Sequence, residues 1–260
     1  MSERENTTLF TIDKARRMLD KLNSFTYSAY TDLLLYLQSK WQIVKFSEFG
    51  KQNFNKAYVL LRHDVDSSPW SALKMAEIEW EMGVKSTYFF LFSAPLYNLH
   101  ESYVASILKN IILLNHEIGL HYDVGIYRSY GENILQTLNK EVQMLKQIAG
   151  TEINVISAHN PSINPLLGSS KYIEAYNAVP FDVDISDSCH RWRPTIKQLF
   201  TDNPLNIHLL IHPAQWSEEY IDRWAALDLV FNSTLNRIKA KKEKWITIWR
   251  EHDRHEEGIH

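Results

Sequence analysis

The sequence predicts an α/β fold in which strands and helices alternate around one parallel sheet. Short β-branched or aromatic segments, each closed by polar residues, alternate at least five times with amphipathic segments of helical spacing. Such alternation favours parallel strands joined by right-handed crossovers. A length of 260 residues suits one large α/β domain, and no repeat, low-complexity segment or convincing linker divides it. We predict a single globular unit over residues 56–250, preceded by a helical extension over residues 1–55.

The predicted strands are apolar, β-branched or aromatic runs that end in charge or in turn residues. The clearest is Tyr58-Val59-Leu60-Leu61, which stops abruptly at Arg62. A later run, STYFFLF, combines the residue types that strands favour. In chain order, strands are predicted at 41–46, 58–64, 86–92, 117–121, 153–158, 181–185 and 206–211.

The predicted helices carry apolar residues at helical spacing and have recognisable end signals. Pro69 occupies a position that the first turn of a helix tolerates, and Gly83 and Gly150 are C-terminal stops. Lysines at 239–242 lie near the C-terminus of the last helix, where cations are favourable. In chain order, helices are predicted at 12–39, 69–83, 101–114, 132–149, 169–176 and 217–242.

The composition argues against several classes of protein. With 28 basic and 31 acidic residues the net charge is −3, which indicates neither a nucleic-acid partner nor an anionic membrane. No run of about 18 apolar residues predicts a membrane span. The N-terminal residues lack the apolar core of a secretory signal, and a single cysteine, Cys189, cannot form an intramolecular disulfide. We therefore expect a cytoplasmic protein; its oligomeric state is not indicated.

The most informative segment is Leu-Arg-His-Asp-Val-Asp at 61–66, where the strongest strand ends. Side chains two apart on a strand share a face, so Arg62, Asp64 and Asp66 are expected to point the same way. Two carboxylates at one spot repel each other and need a cation, a shared proton or a metal. In α/β proteins, chemistry collects at such strand ends. The alternative is that Arg62 pairs with one aspartate while the other caps the next helix.

Three histidines also lie at the ends of predicted strands, namely His121, His159 and His212. Histidine is the commonest ligand for borderline metals. Asp123 lies two residues beyond the first of them, and Asn160 begins a turn directly after the second. For each histidine the alternative is a hydrogen-bonded structural role or an exposed loop position.

The segment from 184 to 194 has the composition of a substrate-binding loop. Asp187 and Arg193 could bind hydroxyl or acid groups, and Trp192 could stack on a sugar ring. A solvated turn is the alternative. The full set of predicted substrate contacts is Arg62, Asp123, Asn160, Asp187, Trp192, Arg193 and Trp216.

Taken in order, these clusters resemble the five motifs of the NodB-homology polysaccharide deacetylases. The resemblance implies a distorted (β/α)7-type barrel with the motifs at successive strand ends. The first family motif typically reads Thr-Phe-Asp-Asp-Gly, and here Arg62-His63-Asp64-Val65-Asp66 stands in its place. By position Asp64 matches the general base. Because Val65 occupies the usual ligand position, Asp66 must supply the metal-binding carboxylate.

The remaining motifs match partly, and the whole resemblance covers about residues 56–215. His121 matches the first of two histidine ligands, but Gly125 stands at the second, so Asp123 or His159 must complete the site. The fifth motif ends an apolar strand with a catalytic histidine. The residues implied are Asp64 and His212 for catalysis, and Asp66, His121 and His159 for the metal.

The resemblance implies a metal-dependent hydrolase that removes an N-acyl group, acetyl in the family, from an amino sugar or glycan precursor. Mixed aspartate and histidine ligation suits zinc, with cobalt or nickel as further possibilities. One alternative is a hydrolase of another C–N bond on the same fold. The other is a carbohydrate-binding protein whose metal site has decayed, which Val65 and Gly125 permit.

Overall fold

The architecture is one curled, fully parallel sheet flanked by helices. The computed structural model describes residues 15–49, 57–129, 133–163, 165–167, 171–177, 181–202 and 204–257, with side chains up to residue 254. The strands are β1 Gln42–Val44, β2 Tyr58–Val65, β3 Thr87–Leu91, β4 Glu117–Tyr122, β5 Val155–Ala158, β6 Ile173–Glu174, β7 Val183–Ser186 and β8 Asn206–Ile211.

In the described part of the chain, helices connect β2 to β3, β3 to β4, β4 to β5 and β7 to β8, as crossovers between parallel strands. They are α1 at 15–22, α2 Tyr27–Gln38, α3 Pro69–Glu81, α4 Ser102–Leu113, α5 Val124–Ser129, α6 Ile134–Ala149, α7 Gln198–Thr201 and α8 Arg223–Glu257. Side chains cap several of the helices. Ser68 accepts a hydrogen bond from the backbone N–H of Ser71 at the start of α3, and Asn133 accepts from backbone N–H groups of the first turn of α6. In the described part of the chain, no helix is both long and apolar enough to cross a membrane.

Strand β2 lies at the centre of the sheet. The strand order is β6-β5-β4-β3-β2-β8-β7, and β1 pairs with the first residues of β2 on the β3 side. All eight residues of β2 are buried. A strand covered on both faces reads as a continuous apolar run, which is why its position could be predicted from the sequence.

The sheet curls back on itself like a barrel. Arg62 on β2 lies over the ring of Tyr176, which follows β6, with 4.4 Å from the guanidinium carbon to the ring centroid. Four strand spacings separate β2 from β6, which in a flat sheet would amount to about 19 Å. Among the described residues no pairing joins β6 to β7, so the barrel stays open on that side. The predicted distorted (β/α)7-type fold is confirmed.

Two of the predicted elements need correction. The helix expected at 169–176 is wrong where the chain is described: residues 173–174 form β6 and a turn follows, while 169–170 lie outside the described residues. The helix expected at 217–242 starts later and continues to Glu257. Turn and bend residues precede it, so the apolar periodicity placed the helix but not its ends.

The N-terminal helical region is two helices rather than one. Phe25 has a φ of 50° and Thr26 caps α2, so the chain breaks between α1 and α2. Residues 12–14 of the predicted helix lie outside the described residues. Helix α2 packs its buried leucines in a cluster that includes residues of β2 and β8. The boundary drawn at residue 55 remains a prediction.

The barrel interior is filled by a small apolar cluster close to the charged residues of β2. Leu60, Phe89 and Val155 belong to it. Gly119 on β4 faces the same space: a Cβ atom placed there would lie 2.5 Å from two ring carbons of Phe89 and 2.8 Å from Val155. Only a hydrogen atom fits at this position, and the ring of Phe89 takes the space.

The outer face of β2 carries a buried polar network centred on Glu79 of α3. His63 Nε2 lies 2.6 Å from Glu79 Oε1, and Ser86 and Tyr88 donate to Oε2 at 2.6 and 2.9 Å; the hydroxyl of Tyr30 also donates to Oε1. Burial alone would raise the pKa of Glu79, but the charge of His63 outweighs it and lowers the pKa to about 2. The carboxylate thus joins α2, α3, β2 and β3 beneath the surface.

Candidate active site

Polar side chains from four strand ends meet at the carboxyl edge of the sheet. Asp64 lies on β2 and Asp66 just beyond it, His121 lies on β4, His159 follows β5 and His212 follows β8. Because all these strands are parallel and the sheet is curled, their carboxyl ends surround one space. All five are predicted site residues, and the structure brings them together.

Asp66, His121 and His159 form a cluster that could hold a metal ion. One ligand atom from each lies within 4.8 Å of the others. Asp66 Oδ1 is 3.3 Å from His121 Nε2, yet it is buried and has no hydrogen-bond partner in the described part of the molecule. A buried carboxylate oxygen without a partner is costly, and a cation would satisfy it. The residues therefore fit a divalent metal bound by one carboxylate and two imidazoles.

The backbone of β5 sets the orientation of His121. Its Nδ1 lies 2.9 Å from the carbonyl oxygen of Ser157, which can only accept, so Nδ1 carries the proton. The lone pair on Nε2 then faces Asp64 and Asp66, at 3.5 and 3.3 Å. Burial alone would lower the pKa of His121, but these two carboxylates raise it. Either a proton or a metal ion at Nε2 would balance the negative charge of Asp64 and Asp66.

Asp123 orients His159. Its Oδ2 lies 3.0 Å from His159 Nδ1, and its Oδ1 accepts the backbone N–H of Gly125 at 2.8 Å, at the start of α5. Carboxylate partners of this kind fix the tautomer of metal-binding histidines. The sequence analysis placed Asp123 among the substrate contacts and as an alternative metal ligand. The geometry makes it a positioning residue for His159 instead.

Arg62 holds Asp64 by two parallel hydrogen bonds. Its Nε lies 3.0 Å from Oδ1 and its Nη2 2.6 Å from Oδ2, and both side chains are buried. Burial alone would raise the pKa of Asp64, but Arg62 first, then His121 and His212, outweigh it and hold the pKa below the usual range. Asp64 is therefore ionised, which a proton acceptor must be.

The pairing of Arg62 with Asp64 matches half of the alternative drawn from the sequence. The other half of that alternative was that the second aspartate caps the next helix. This is wrong, because Ser68 caps α3 and Asp66 stays in the site. The predicted substrate contact by Arg62 stays a prediction; its side chain is fully buried and binds Asp64 and Tyr176. It acts on the site through Asp64.

His212 is held by Asp187. Its Nδ1 lies 2.7 Å from Asp187 Oδ1, and its Nε2 lies 3.9 Å from Asp66 Oδ2. Burial alone would lower the pKa of His212, but the charges of Asp187, Asp66 and Asp64 raise it to about 9. Asp64 and His212 thus have opposite protonation states near neutral pH, the arrangement that acid–base catalysis requires.

Three of the other predicted substrate contacts are buried, and their role in binding stays a prediction. Asp187 is fully buried and accepts the indole N–H of Trp216 at 2.9 Å. Trp216 and Trp192 are buried as well, and the indole of Trp192 donates to the backbone oxygen of Leu22. Asp187 contacts His212 directly, Trp216 supports Asp187, and Trp192 packs against Trp216. The sugar-stacking role expected of Trp192 stays a prediction, and its ring is buried in the core.

The last two predicted contacts are exposed but differ in location. Asn160 has a φ of 48°, and its Nδ2 lies 3.3 Å from His159 Nε2, so it borders the metal cluster. Arg193 is exposed and lies 3.9 Å from Asp184, away from that cluster. A substrate contact remains a prediction for both.

A cavity of about 430 Å³ opens beside the site. Asp64, Asp66 and His212 form one side of it. The remaining lining includes Cys189 and His190, which have φ values of 62° and 54°, and the first two turns of α8. Non-glycine residues at positive φ are strained and often lie at functional sites. The strained pair lies in the 184–194 segment that was predicted as a substrate-binding loop, whereas nothing in the sequence of α8 indicated that it would border this edge of the sheet.

Comparison with known proteins gives distant structural likenesses only. No protein-family model matches the chain, and no curated protein sequence matches it. Solved structures similar to it include peptidoglycan deacetylase PdaC from Bacillus subtilis, with 19% identity and a TM-score of 0.44 over 74% of this chain and 96% of that one. A family 4 carbohydrate esterase from Streptomyces lividans has 15% identity and a TM-score of 0.44, over 70% and 89%.

A third likeness is to BA3943 from Bacillus anthracis, described as a CE4 family pseudoenzyme. It has 16% identity and a TM-score of 0.43, over 71% of this chain and 63% of that one. A fold does not fix a function, so the function of this chain has to be argued from its site.

Proposed function

We propose that this chain is a metal-dependent hydrolase of the NodB-homology type that removes an N-acyl group from an amino sugar or glycan precursor. One observation carries the proposal. Three metal-ligand side chains, an ionised carboxylate and a protonated imidazole converge at one end of the barrel. This combination supplies a metal site, a base and an acid, which amide hydrolysis uses together.

The proposed metal ligands are Asp66, His121 and His159, and zinc, cobalt or nickel would suit them. When bound, such an ion polarises a carbonyl group and lowers the pKa of water. The departures from the family pattern at Val65 and Gly125 have substitutes nearby, since Asp66 and His159 lie within ligand distance of His121. That argues against a decayed site.

Two side chains of this protein carry out the proton transfers, one as a base and the other as an acid. Asp64, kept ionised by Arg62, accepts a proton from the attacking water. As the C–N bond breaks, the amine must take up a proton to leave as a neutral molecule, and His212 donates it. Asp187 stabilises the charged imidazole before that transfer. Once Asp64 and His212 have returned to their starting protonation states, the products are a carboxylate and a protonated amine.

Metal analysis and turnover together test the proposal. We expect about one zinc or similar ion per chain after purification without chelators, and its loss in Asp66→Ala and His121→Ala. We also expect hydrolysis of an N-acylated glucosamine by the loaded protein, detected as free amine. Exposed Asp228 provides a matched control, because Asp228→Ala lies on α8 outside the cluster. Absence of bound metal, with no hydrolysis after adding zinc, cobalt or nickel, would favour the carbohydrate-binding alternative.

A further inference from the structure

Helix α8 supplies a wall of the cavity that faces the proposed catalytic residues. Trp224, Leu227 and Val230 line it at intervals of three residues, so they occupy one side of the helix. Val230 and the neighbouring Ala226 are buried, which fixes the helix against the barrel. Leu227 is 50% exposed and borders the open side of the cavity.

The cavity is larger and more apolar than an acetyl group needs. Its volume of about 430 Å³ lies in the range of about 300–1,000 Å³ typical of sites for small organic ligands. An acetyl group adds a single methyl beyond the carbonyl carbon. Leu96 and Ala214 extend the apolar lining. The polar and charged lining residues lie mostly on the barrel side, and they are Asp64, Asp66, Ser67, His190, His212, Gln215 and, on α8, Arg223. The hydroxyl groups of a sugar would find few partners on the α8 wall.

We infer that the acyl group removed at this site is an apolar chain longer than acetyl, held against α8. The inference rests on the proposed function and specifies its substrate class. The cavity is continuous with the catalytic groups, because Asp64, Asp66 and His212 line it together with α8. An acyl carbonyl placed between Asp64 and His212 would therefore lead its chain into the apolar part. Water adds oxygen to the carbonyl carbon, the C–N bond breaks, and the products are a longer carboxylate and the protonated amine.

A series of N-acylated glucosamines tests this, with acyl chains of two, four, six and eight carbons. We expect kcat/KM to rise about threefold for each added CH2 group, and thus roughly 80-fold from acetyl to hexanoyl, because each buried methylene adds a similar transfer free energy. A second series keeps the acetyl group and lengthens an alkyl group at the anomeric position. There we expect little change, since that group lies on the side of the leaving amine.

Helix α8 offers a closely matched pair of variants. Leu227 and Leu229 are 50% and 52% exposed on the same helix, but only Leu227 is among the residues that line the cavity. We expect Leu227→Asp to lower the hexanoyl-to-acetyl ratio of kcat/KM by about tenfold, because it places a charge beside the chain. Leu229→Asp should leave that ratio unchanged.

The outcomes separate this inference from the proposed function. If acetyl and hexanoyl substrates react equally fast, or if the alkyl series shows the length dependence instead, the inference is overturned while amide hydrolysis stands. An equal effect of Leu229→Asp and Leu227→Asp overturns it as well. If no acylated amine is hydrolysed with any of the three metals, the proposed function fails and the inference falls with it.

Discussion

The carboxylate of Asp187 contacts His212 at two points. Its Oδ1 lies 2.7 Å from the ring Nδ1 and 3.0 Å from the backbone nitrogen. The ring is therefore fixed with Nε2 toward Asp66 and the cavity. A second pair, Asp184 on β7 and His208 on β8, has a similar distance of 2.8 Å but lies outside the metal cluster. The two pairs allow a controlled comparison.

Replacing Asp187 is expected to impair catalysis without loss of metal. Asp187→Asn removes the charge that keeps His212 protonated and correctly oriented, and we expect kcat to fall about 10²- to 10⁴-fold with KM nearly unchanged. Steady-state kinetics and metal analysis of the same preparation measure both effects. Asp184→Asn is the control, and an equal fall in kcat there would show that the loss at Asp187 is merely structural.

Replacing the proposed base or acid is expected to stop turnover while the site remains loaded. Asp64→Asn and His212→Ala should each reduce turnover by about two to four orders of magnitude, the usual contribution of a positioned acid or base. Asp64→Asn should also lower the melting temperature, because Arg62 stays buried without its counter-charge. Wild-type turnover in both variants would contradict the assignment.

Asp123 is expected to control metal affinity through His159. Asp123→Ala frees the imidazole to rotate, and we expect metal affinity to fall about 10- to 100-fold, as for other partners of metal ligands. Competition with a chromophoric chelator gives the dissociation constants. Asp228→Ala, which changes an exposed aspartate on α8, should match the wild type. Unchanged affinity in Asp123→Ala would remove His159 from the ligand set.

We predict that the unfolding free energy depends on pH through the buried Glu141, which lies outside the candidate active site. Burial, and to a smaller extent Asp123, raise its pKa to about 7, although the hydroxyl of Tyr127 donates to it. A raised pKa in the folded state favours the protonated form. The protonated side chain of Glu141 therefore contributes its full stabilisation below about pH 4.5, which is the pKa in the unfolded chain. This contribution is lost as the pH rises to about 7, the pKa in the folded protein.

Glu141→Gln should remove that dependence. We compare the unfolding free energy of the variant with that of the wild type at the same pH. This difference should shift in favour of the variant by about 2–3 kcal/mol as the pH rises from 4 to 8. Urea denaturation at both pH values measures the difference, and using the difference between proteins cancels the titration of other groups. A constant gap between the two proteins would contradict the prediction.

Gly119 limits what the barrel interior can accommodate. Gly119→Ala would place a methyl group 2.5 Å from the ring of Phe89, and we expect a loss of about 1–3 kcal/mol in unfolding free energy. Adding Phe89→Leu, which provides space for the methyl, should recover part of the loss. If the single variant were as stable as the wild type, the contact with Phe89 would not constrain this position.

The strands were predictable from the sequence because burial on both faces leaves a direct signature. β2 reads as an apolar run that ends in charge, and its alternation correctly predicted that Arg62 and Asp64 share a face. Pairings between distant segments leave no such signature. The contact between His212 and Asp187 depends on how β7 and β8 are placed side by side, which neither segment encodes alone.

Helix α8 is the clearest case of what periodicity omits. Its apolar spacing predicts a helix with a side that packs, but not which part of the barrel that side meets. The two-residue strand β6 and the six-residue α5 were missed because each is too short to show a period. The burial of Trp192 and Trp216 was not predicted for a related reason, since composition does not distinguish a stacking surface from a core.

Strand β2 carries a different polar system on each face, with Asp64 among the site residues and His63 bound to Glu79 on the outer side. Removing or inserting one residue within the strand would reverse both faces at once. Asp64 would then meet Glu79, and His63 would enter the barrel beside Phe89. Single substitutions can alter either system alone, whereas a change of length destroys both together. Any redesign of this protein should therefore treat the length of β2 as fixed and vary its side chains.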